Sequence, residues 1–364
     1  MRIAQIAPLY ESVPPRLYGG TERVVAHLSD ELVRRGHEVT LFASGDSRCD
    51  AWLVPCRSKA IRLDDGLAWD VPAHLDMLCE VRERMDEFDI LHFHTECWHL
   101  PLFADVADRT VTTLHGRLDV GDIEALFRRF PDYPVVSISD SQRRPLPFLR
   151  WAGTVYHGYP LNQYRFSPEA SGGYLAFLGR ISPEKGVDRA IDIARRAGLP
   201  LRIAAKVDGA DRDYFSNHIA PLLDTPGVEF IGEIGEAEKS DFLGGAIGLL
   251  VPVTWPEPFG LVMIEAMACG TPVIAFPNGS VPEIIEHGVN GLLVQDNDAA
   301  VIAVGLLESI DRARVRQSFE QRFTVEAMVD GYEAIYRRIL AEAEPDVEPL
   351  MAPVAIAAGA ERAA

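Results

Sequence analysis

The sequence predicts an α/β protein built from two doubly wound domains, each a parallel sheet covered by helices. Three observations carry that expectation. Short apolar runs alternate with stretches of helical periodicity almost from end to end, the rhythm of strand–helix–strand units rather than of hairpins. The rhythm breaks between Tyr156 and Gly173, where Pro160, Pro168, Gly172 and Gly173 punctuate a polar segment. A chain of 364 residues, 48% of them hydrophobic and 24% charged, is also long enough to bury two cores without disulfides.

The elements follow in order. RIAQIA (2–7) reads as the first strand. From Gly20 to Arg35, Val24, Val25, Leu28 and Leu32 share one helical face, and Gly36 supplies the stop. EVTLFA (38–43), FDILHFH (88–94), RTVTTLH (109–115) and YPVVSIS (133–139) continue the strands. After a linker near 155–172 come YLAFLG (174–179), a helix over 187–197, LRIAAKV (201–207), VEFIG (228–232) and AIGLLVPV (246–253). A helix over 260–269, VIAF (273–276) and GLLV (291–294) complete the second unit. A last helical pattern from Val325 to Ala343 carries Met328, Tyr332, Ile335, Tyr336 and Ile339. The expected division is therefore 1–158 and 159–340, the closing helix being counted with the second domain. The Ala- and Pro-rich stretch 344–364 is expected to be disordered.

Composition excludes several classes. A net charge of −19 argues against nucleic acid, whose phosphates demand a surplus of Lys and Arg. No apolar run approaches the ~20 residues of a membrane-spanning helix, and MRIAQIAPLY lacks the zones of a signal peptide. The five cysteines are odd in number and show no CxxC pair, so neither a disulfide scaffold nor a zinc ribbon is expected, and a reduced cytoplasmic setting is.

Three segments point to chemistry. In VPVTWPEPFGLVMIEAMACGTPVIAF (251–276) a buried strand gives way to a Pro-rich turn and a helix starting about Phe259 or Gly260. Ligands of such sheets bind where strand ends meet helix starts. The N–H groups of Gly260, Leu261 and Val262 would favour an anion there. Glu257 lies in the turn, and Glu265 sits in an otherwise apolar helix, where a carboxylate needs donors such as sugar or ribose hydroxyls; a basic partner or solvent would also serve. In YLAFLGRISPEKGVDRAIDIARRAG (174–198), Arg180 follows a strand and Lys185 precedes a helix. Together they could clamp a diphosphate, although a solvated loop explains the same spacing. In APLYESVPPRLYGGTERVV (7–25), Gly19 and Gly20 at a helix start permit close approach of backbone to ligand; a plain helix cap would account for them equally.

With these motifs in this order, the chain resembles a retaining glycosyltransferase of family four (glycosyl transferases group 1), which has the GT-B fold of two Rossmann-like domains facing a cleft. The resemblance rests on Glu257 and Glu265 within EPFGLVMIEAMACGTPVIA, on GRISPEKG, VEFIG and GSVPEIIEHGVNGLLV (279–294), and on GGTE and GHEVTLF near the start. It implies transfer of a hexose from a nucleotide sugar to an unidentified sugar, lipid or small-molecule acceptor, with UDP-glucose favoured and GDP-mannose second, and with no metal or other cofactor. It implies that Glu265 binds the ribose, that Glu257 contacts the transferred sugar, and that Arg180 and Lys185 neutralise the diphosphate with the backbone of Phe259, Gly260, Leu261 and Val262. Gly19 and Gly20 would face the phosphate or acceptor, Gly232 to Ile234 the base, and His115 the sugar. A non-catalytic nucleotide-sugar-binding subunit, a phosphorylase or an epimerase of the same fold is the competing expectation.

Other signals mislead more readily. HFHTECWH (92–99) invites a zinc reading, but its spacing fits no standard finger, and cleft lining or core is expected. DRD (211–213) and DND (296–298) match a short metal-binding pattern that arises by chance in so acidic a chain; Asp296 or Asn297 is expected to cap the following helix. SQRRPLPFLRW (141–151) could touch anionic lipid at the inner membrane face, but Pro145 and Pro147 favour a turn with its aromatics packed inside. In TVYHGYP (154–160), His157 precedes Gly158 where the family usually has asparagine-glycine.

Overall fold

The computed structural model describes residues 1–64 and 69–343; the tail 344–364 lies outside the described residues. The first sheet contains β1 (Arg2–Ile6), β2 (Glu38–Ser44), β3 (Trp52–Arg57), β4 (Ile90–Phe93), β5 (Thr110–Thr113), β6 (Val135–Ser137) and β7 (Trp151–Thr154), in the order β3-β2-β1-β4-β5-β6-β7. The second contains β8 (Leu175–Arg180), β9 (Leu201–Lys206), β10 (Val228–Gly232), β11 (Gly248–Val251), β12 (Val273–Ala275) and β13 (Gly291–Leu293), in the order β10-β9-β8-β11-β12-β13. Every pairing is parallel. The chain is an α/β protein of two doubly wound sheets, as the alternating pattern predicts. In each sheet the strand order reverses beside the first strand, β1 or β8, which opens a crevice at its C-terminal end.

Two edge strands escaped the pattern. β3 carries Pro55 and an exposed Trp52, and an edge is where a strand tolerates a missing N–H. β7 is half-buried throughout, so its sequence, WAGT, lacks the apolar run of a central strand.

The helix Gly20–Arg34 buries Val24, Val25, Leu28 and Leu32, the face its spacing predicts. The closing helix spans Val325–Ala343. Chain order attaches it to the second unit, but it packs on the first: Val329, Tyr332, Ile335 and Ile339 share a core with Ile3, Val24, Val111 and Val136. Its tyrosines reach under the first sheet, where Tyr332 Oη lies 3.0 Å from Thr113 Oγ1 and Tyr336 Oη lies 2.6 Å from His92 Nδ1. The chain thus crosses between units twice, and the crossings run side by side. Tyr159 N–H donates to Phe323 O (3.0 Å) and Val325 N–H to Tyr159 O (2.9 Å). Gly158 is required there, because a Cβ would lie 2.1 Å from Thr324 O.

Candidate functional site

Between the units lies a cavity of about 600 Å³. Every residue expected at the site except Gly232 lines it. Gly232 ends β10 at φ +77°, beside an irregularity in the β9–β10 register. Ile234 and Glu233 carry the chain from there to the cavity wall, and Glu233 Oε1 accepts from Tyr18 N–H across the cleft (2.8 Å).

The helix Leu261–Ala268 starts one residue past Gly260, which adopts φ +82° and provides no side-chain cap. A Cβ at Gly260 would lie 2.6 Å from Met263 Cε and 3.3 Å from Glu257 Cγ. The glycine therefore serves both the left-handed turn and the close packing of Glu257. The uncapped first turn meets Gly20 of the facing helix, where a Cβ would lie 3.2 Å from Leu261 Cδ1. Gly19 is also sterically required, since its Cβ would lie 2.7 Å from Pro15 Cβ.

Arg180 and Lys185 reach the same cavity, and each is already partnered. Lys185 Nζ donates to Glu257 Oε2 (2.6 Å) and lies 4.8 Å from the Trp255 ring centre. Trp255 Nε1–H donates to the same oxygen (2.8 Å), and Glu257 is only 7% exposed. Arg180 Nη2 donates to Glu184 Oε1 (2.7 Å), with Asp211 3.4 Å from its Nε. An incoming anion would share these cations with carboxylates, which balance the charge of the cleft and hold the cations in place.

Glu265 takes one of the roles weighed from sequence, a basic partner. It is 2% exposed. Its Oε1 accepts from Tyr159 Oη–H (2.7 Å) and Lys239 Nζ (2.8 Å), so it does pair with a base. Its Oε2 is buried without a hydrogen-bond partner, in a side chain that lines the cavity. Lys239 also lies 3.3 Å from Glu236, which pairs with Arg23 of the first unit and accepts from Tyr164. Sequence reasoning missed this network because its members are scattered over residues 23 to 265.

His115 belongs to a buried histidine relay. Gln5 Oε1 lies 2.8 Å from His94 Nε2, and His94 Nδ1 lies 2.9 Å from His115 Nε2. Burial holds both rings neutral, pushing His115 down to about 3 and His94 well below its ordinary value. A neutral imidazole has one donor and one acceptor. Since Gln5 Oε1 can only accept, His94 donates from Nε2 and accepts at Nδ1. His115 is then the Nε2–H tautomer, and its Nδ1 is left as an acceptor. His157 stacks on His115 at 5.3 Å and meets Phe259 edge-on at 4.9 Å.

Glu96 was overlooked as a site residue, although it lies inside the histidine-rich segment. At φ +52° its side chain turns back to accept from the N–H groups of His115 (3.0 Å) and Gly116 (2.9 Å). Burial pushes its carboxyl up to about 7.

The segments read as misleading have ordinary roles. His92 is bonded to Tyr336 and Thr113 in the core. Among the described residues no group of His, Cys, Asp and Glu is arranged to hold a metal ion. Asp296 caps its helix by accepting from Ala299 N–H (2.9 Å). Trp151 Nε1–H donates to Leu146 O (3.0 Å), with Leu146 and Leu149 buried. No described helix is long and apolar enough to cross a membrane.

Two parallel sheets facing a cleft at their switch points define a GT-B-type α/β protein. The model "Glycosyl transferases group 1" matches residues 165–323, and "Glycosyltransferase Family 4" matches residues 18–158. Only the short segment 159–164 separates the two matches, and the chain belongs to the group 1 glycosyltransferases of GT-B fold. It is 29% identical to the D-inositol 3-phosphate glycosyltransferase of Rhodococcus erythropolis over 88% of this chain and 86% of the relative. Among solved structures it resembles AviGT4, a glycosyltransferase involved in avilamycin A biosynthesis (TM-score 0.72, 24% identity, 94% and 99% of the two chains covered). It also resembles Alr3699/HepE of Anabaena in complex with UDP and glucose (TM-score 0.70, 19% identity, 93% and 100% covered).

Proposed function

We propose that the chain transfers a hexose from a nucleoside-diphosphate sugar to an acceptor hydroxyl with retention of configuration and without a metal ion. UDP-glucose is the favoured donor and GDP-mannose the second. The observation that carries the reading is the convergence at one cavity of the uncapped helix start at Gly260, the cations Arg180 and Lys185, and the unpartnered Oε2 of Glu265. The solved complex of Alr3699/HepE with UDP and glucose supports the choice of donor.

Glu265 Oε2 accepts from the ribose hydroxyls. Breaking the anomeric C–O bond moves an electron pair onto the diphosphate, and Arg180, Lys185 and the helix start hold the charge that develops there. The acceptor oxygen bonds to the anomeric carbon from the same face, and its proton passes to the leaving phosphate oxygen. Glu257, held by Lys185 and Trp255, accepts from hydroxyls of the transferred sugar. His115, with Nδ1 as an acceptor, orients the sugar and carries no proton to it.

The test is acceptor-dependent release of nucleoside diphosphate, with Lys185→Ala lowering turnover about 10²- to 10³-fold, as for loss of one preorganised charge donor. Unchanged turnover would sink the site. Inversion at the anomeric carbon, or loss of activity in EDTA, would overturn the retaining or metal-free assignment. Donor binding without transfer to any acceptor would favour a non-catalytic subunit. Phosphate-dependent cleavage of a glycoside would make the chain a phosphorylase, and inversion of a sugar centre without any acceptor would make it an epimerase.

A further inference from the structure

The charges around Glu265 extend across the cleft into the first unit. Lys239 Nζ lies 2.8 Å from Glu265 Oε1 and 3.3 Å from Glu236 Oε2, which is one turn away on the same helix, Glu236–Gly244. One ammonium therefore faces two carboxylates. Glu236 Oε2 is met a second time, from the opposite side, by Arg23 Nη1 of the helix Gly20–Arg34. Among the described residues Arg23 and Lys239 are the cations that form ion pairs with these two carboxylates, so the formal charges of the four side chains cancel. Arg23, Lys239 and Glu265 are buried, and little water is at hand to replace a missing charge.

Arg23 is held in this position from its own side. Its Nη2 donates to Leu17 O (2.7 Å), and the N–H of the following residue, Tyr18, donates to Glu233 Oε1 (2.8 Å). The loop before the first helix thus meets the segment 233–236 at two points. Burial by itself would raise the Glu236 carboxyl, yet Lys239 and Arg23 outweigh it and hold the group below its ordinary value. Without Arg23, Glu236 would turn to Lys239 alone. An ammonium on a flexible four-carbon stem can follow that pull, and its gain at Glu236 would be a loss at Glu265. A buried carboxylate that loses its cation shifts toward the neutral acid, which is the weaker acceptor for a hydroxyl.

We propose that Arg23 of the first unit is a positioning residue for the nucleotide site of the second: by neutralising Glu236 across the cleft it reserves Lys239 for Glu265, and so keeps that carboxylate ionised and in place for the ribose. Contact between the two units thereby sets nucleotide affinity without Arg23 touching the nucleotide. This rests on the reading of Glu265 as the ribose acceptor.

The experiment titrates the full chain calorimetrically with UDP, GDP and their 2′,3′-dideoxy analogues, in wild type, in Arg23→Met and in the double variant Arg23→Met, Glu236→Gln. Arg23→Met is expected to raise the Kd of the better-bound nucleotide about tenfold, inside the usual range for coupling between sites, and to raise that of its dideoxy analogue much less. The double variant should return to within about threefold of wild type, because the charges cancel again and Lys239 has one carboxylate left to serve. An unmoved Kd in Arg23→Met overturns the proposal. So does a loss of the same size with the dideoxy analogue, the mark of a phosphate contact or of general loosening. A loss that persists in the double variant also overturns it, since direct contact of Arg23 with the ribose would behave that way. If Arg23→Met melts too low to titrate, Arg23→Gln takes its place with the same expectations. Wild type that binds neither nucleotide overturns the donor reading beneath the proposal, and wild type that ignores the missing hydroxyls overturns the ribose role of Glu265; the coupling falls with either.

Discussion

Replacing Glu265 by Gln removes a charge and almost no volume, and it tests the proposed ribose contact directly. Before the donor binds, Oε1 is spent on Tyr159 and Lys239, while Oε2 has no partner. If Oε2 waits for the ribose, the donor supplies it with hydroxyl hydrogens, and hydrogen bonds to a charged acceptor contribute about 1.5–3 kcal/mol each. An amide retains a neutral acceptor at one position and turns a donor toward the other, so the net loss is about 2–3 kcal/mol, or about 30- to 150-fold in Kd for UDP. Fold stability should suffer less, because Lys239 keeps Glu236 at 3.3 Å. The assay is calorimetric titration of wild type and Glu265→Gln with UDP and with its 2′,3′-dideoxy analogue. Wild type should discriminate against the analogue, and the variant should discriminate much less, because the mutation weakens the same bonds that the missing hydroxyls remove. Equal losses for both ligands, or UDP binding unchanged in the variant, would refute the assignment.

The remaining predictions concern the histidines. Burial holds His92, His94 and His157 well below their ordinary value, His99 and His115 at about 3 and His27 at about 4. Each therefore protonates near pH 6.5 in the unfolded chain but much lower in the fold, so stability is full above pH 6.5 and lost as pH falls below it, by roughly 1 kcal/mol per ring at pH 5.5. Glu22 and Glu96, raised to about 7, act in the opposite sense and recover about 2 kcal/mol each. The melting temperature should accordingly fall between pH 7.5 and 5.5; a flat or rising profile would refute this. Separately, Gln5→Leu removes the acceptor that sets the His94–His115 tautomers, and kcat should drop about tenfold, the low end for a misoriented polar group, at unchanged UDP affinity. Unchanged kcat would mean that the tautomer of His115 does not matter to transfer.

How much of this was legible in the sequence depended on how local each feature is. Strand ends, the Gly260 turn and the placing of Arg180 and Lys185 beside a helix start are set by neighbours in the chain. Their periodicity and glycines therefore point to the one cavity that these residues line together. The helix Val325–Ala343 was legible as a helix and not as part of the first unit's core, because apolar spacing gives a face without naming what that face meets. The same distinction governs the charges. From sequence Lys185 and Glu257 read as two separate ligand contacts, yet they are 2.6 Å apart and bonded to each other. Such pairing is what lets a cleft hold cations and buried carboxylates before substrate arrives. A lone buried Lys or Glu would tend toward its neutral form, and would then lack the charge that the diphosphate or sugar requires. Glu265 follows the same pattern: Lys239 holds one oxygen of the carboxylate, and the other has no hydrogen-bond partner. On the proposed reading the pairs belong to the binding apparatus, since each sets a basic and an acidic side chain against the cavity before any donor enters.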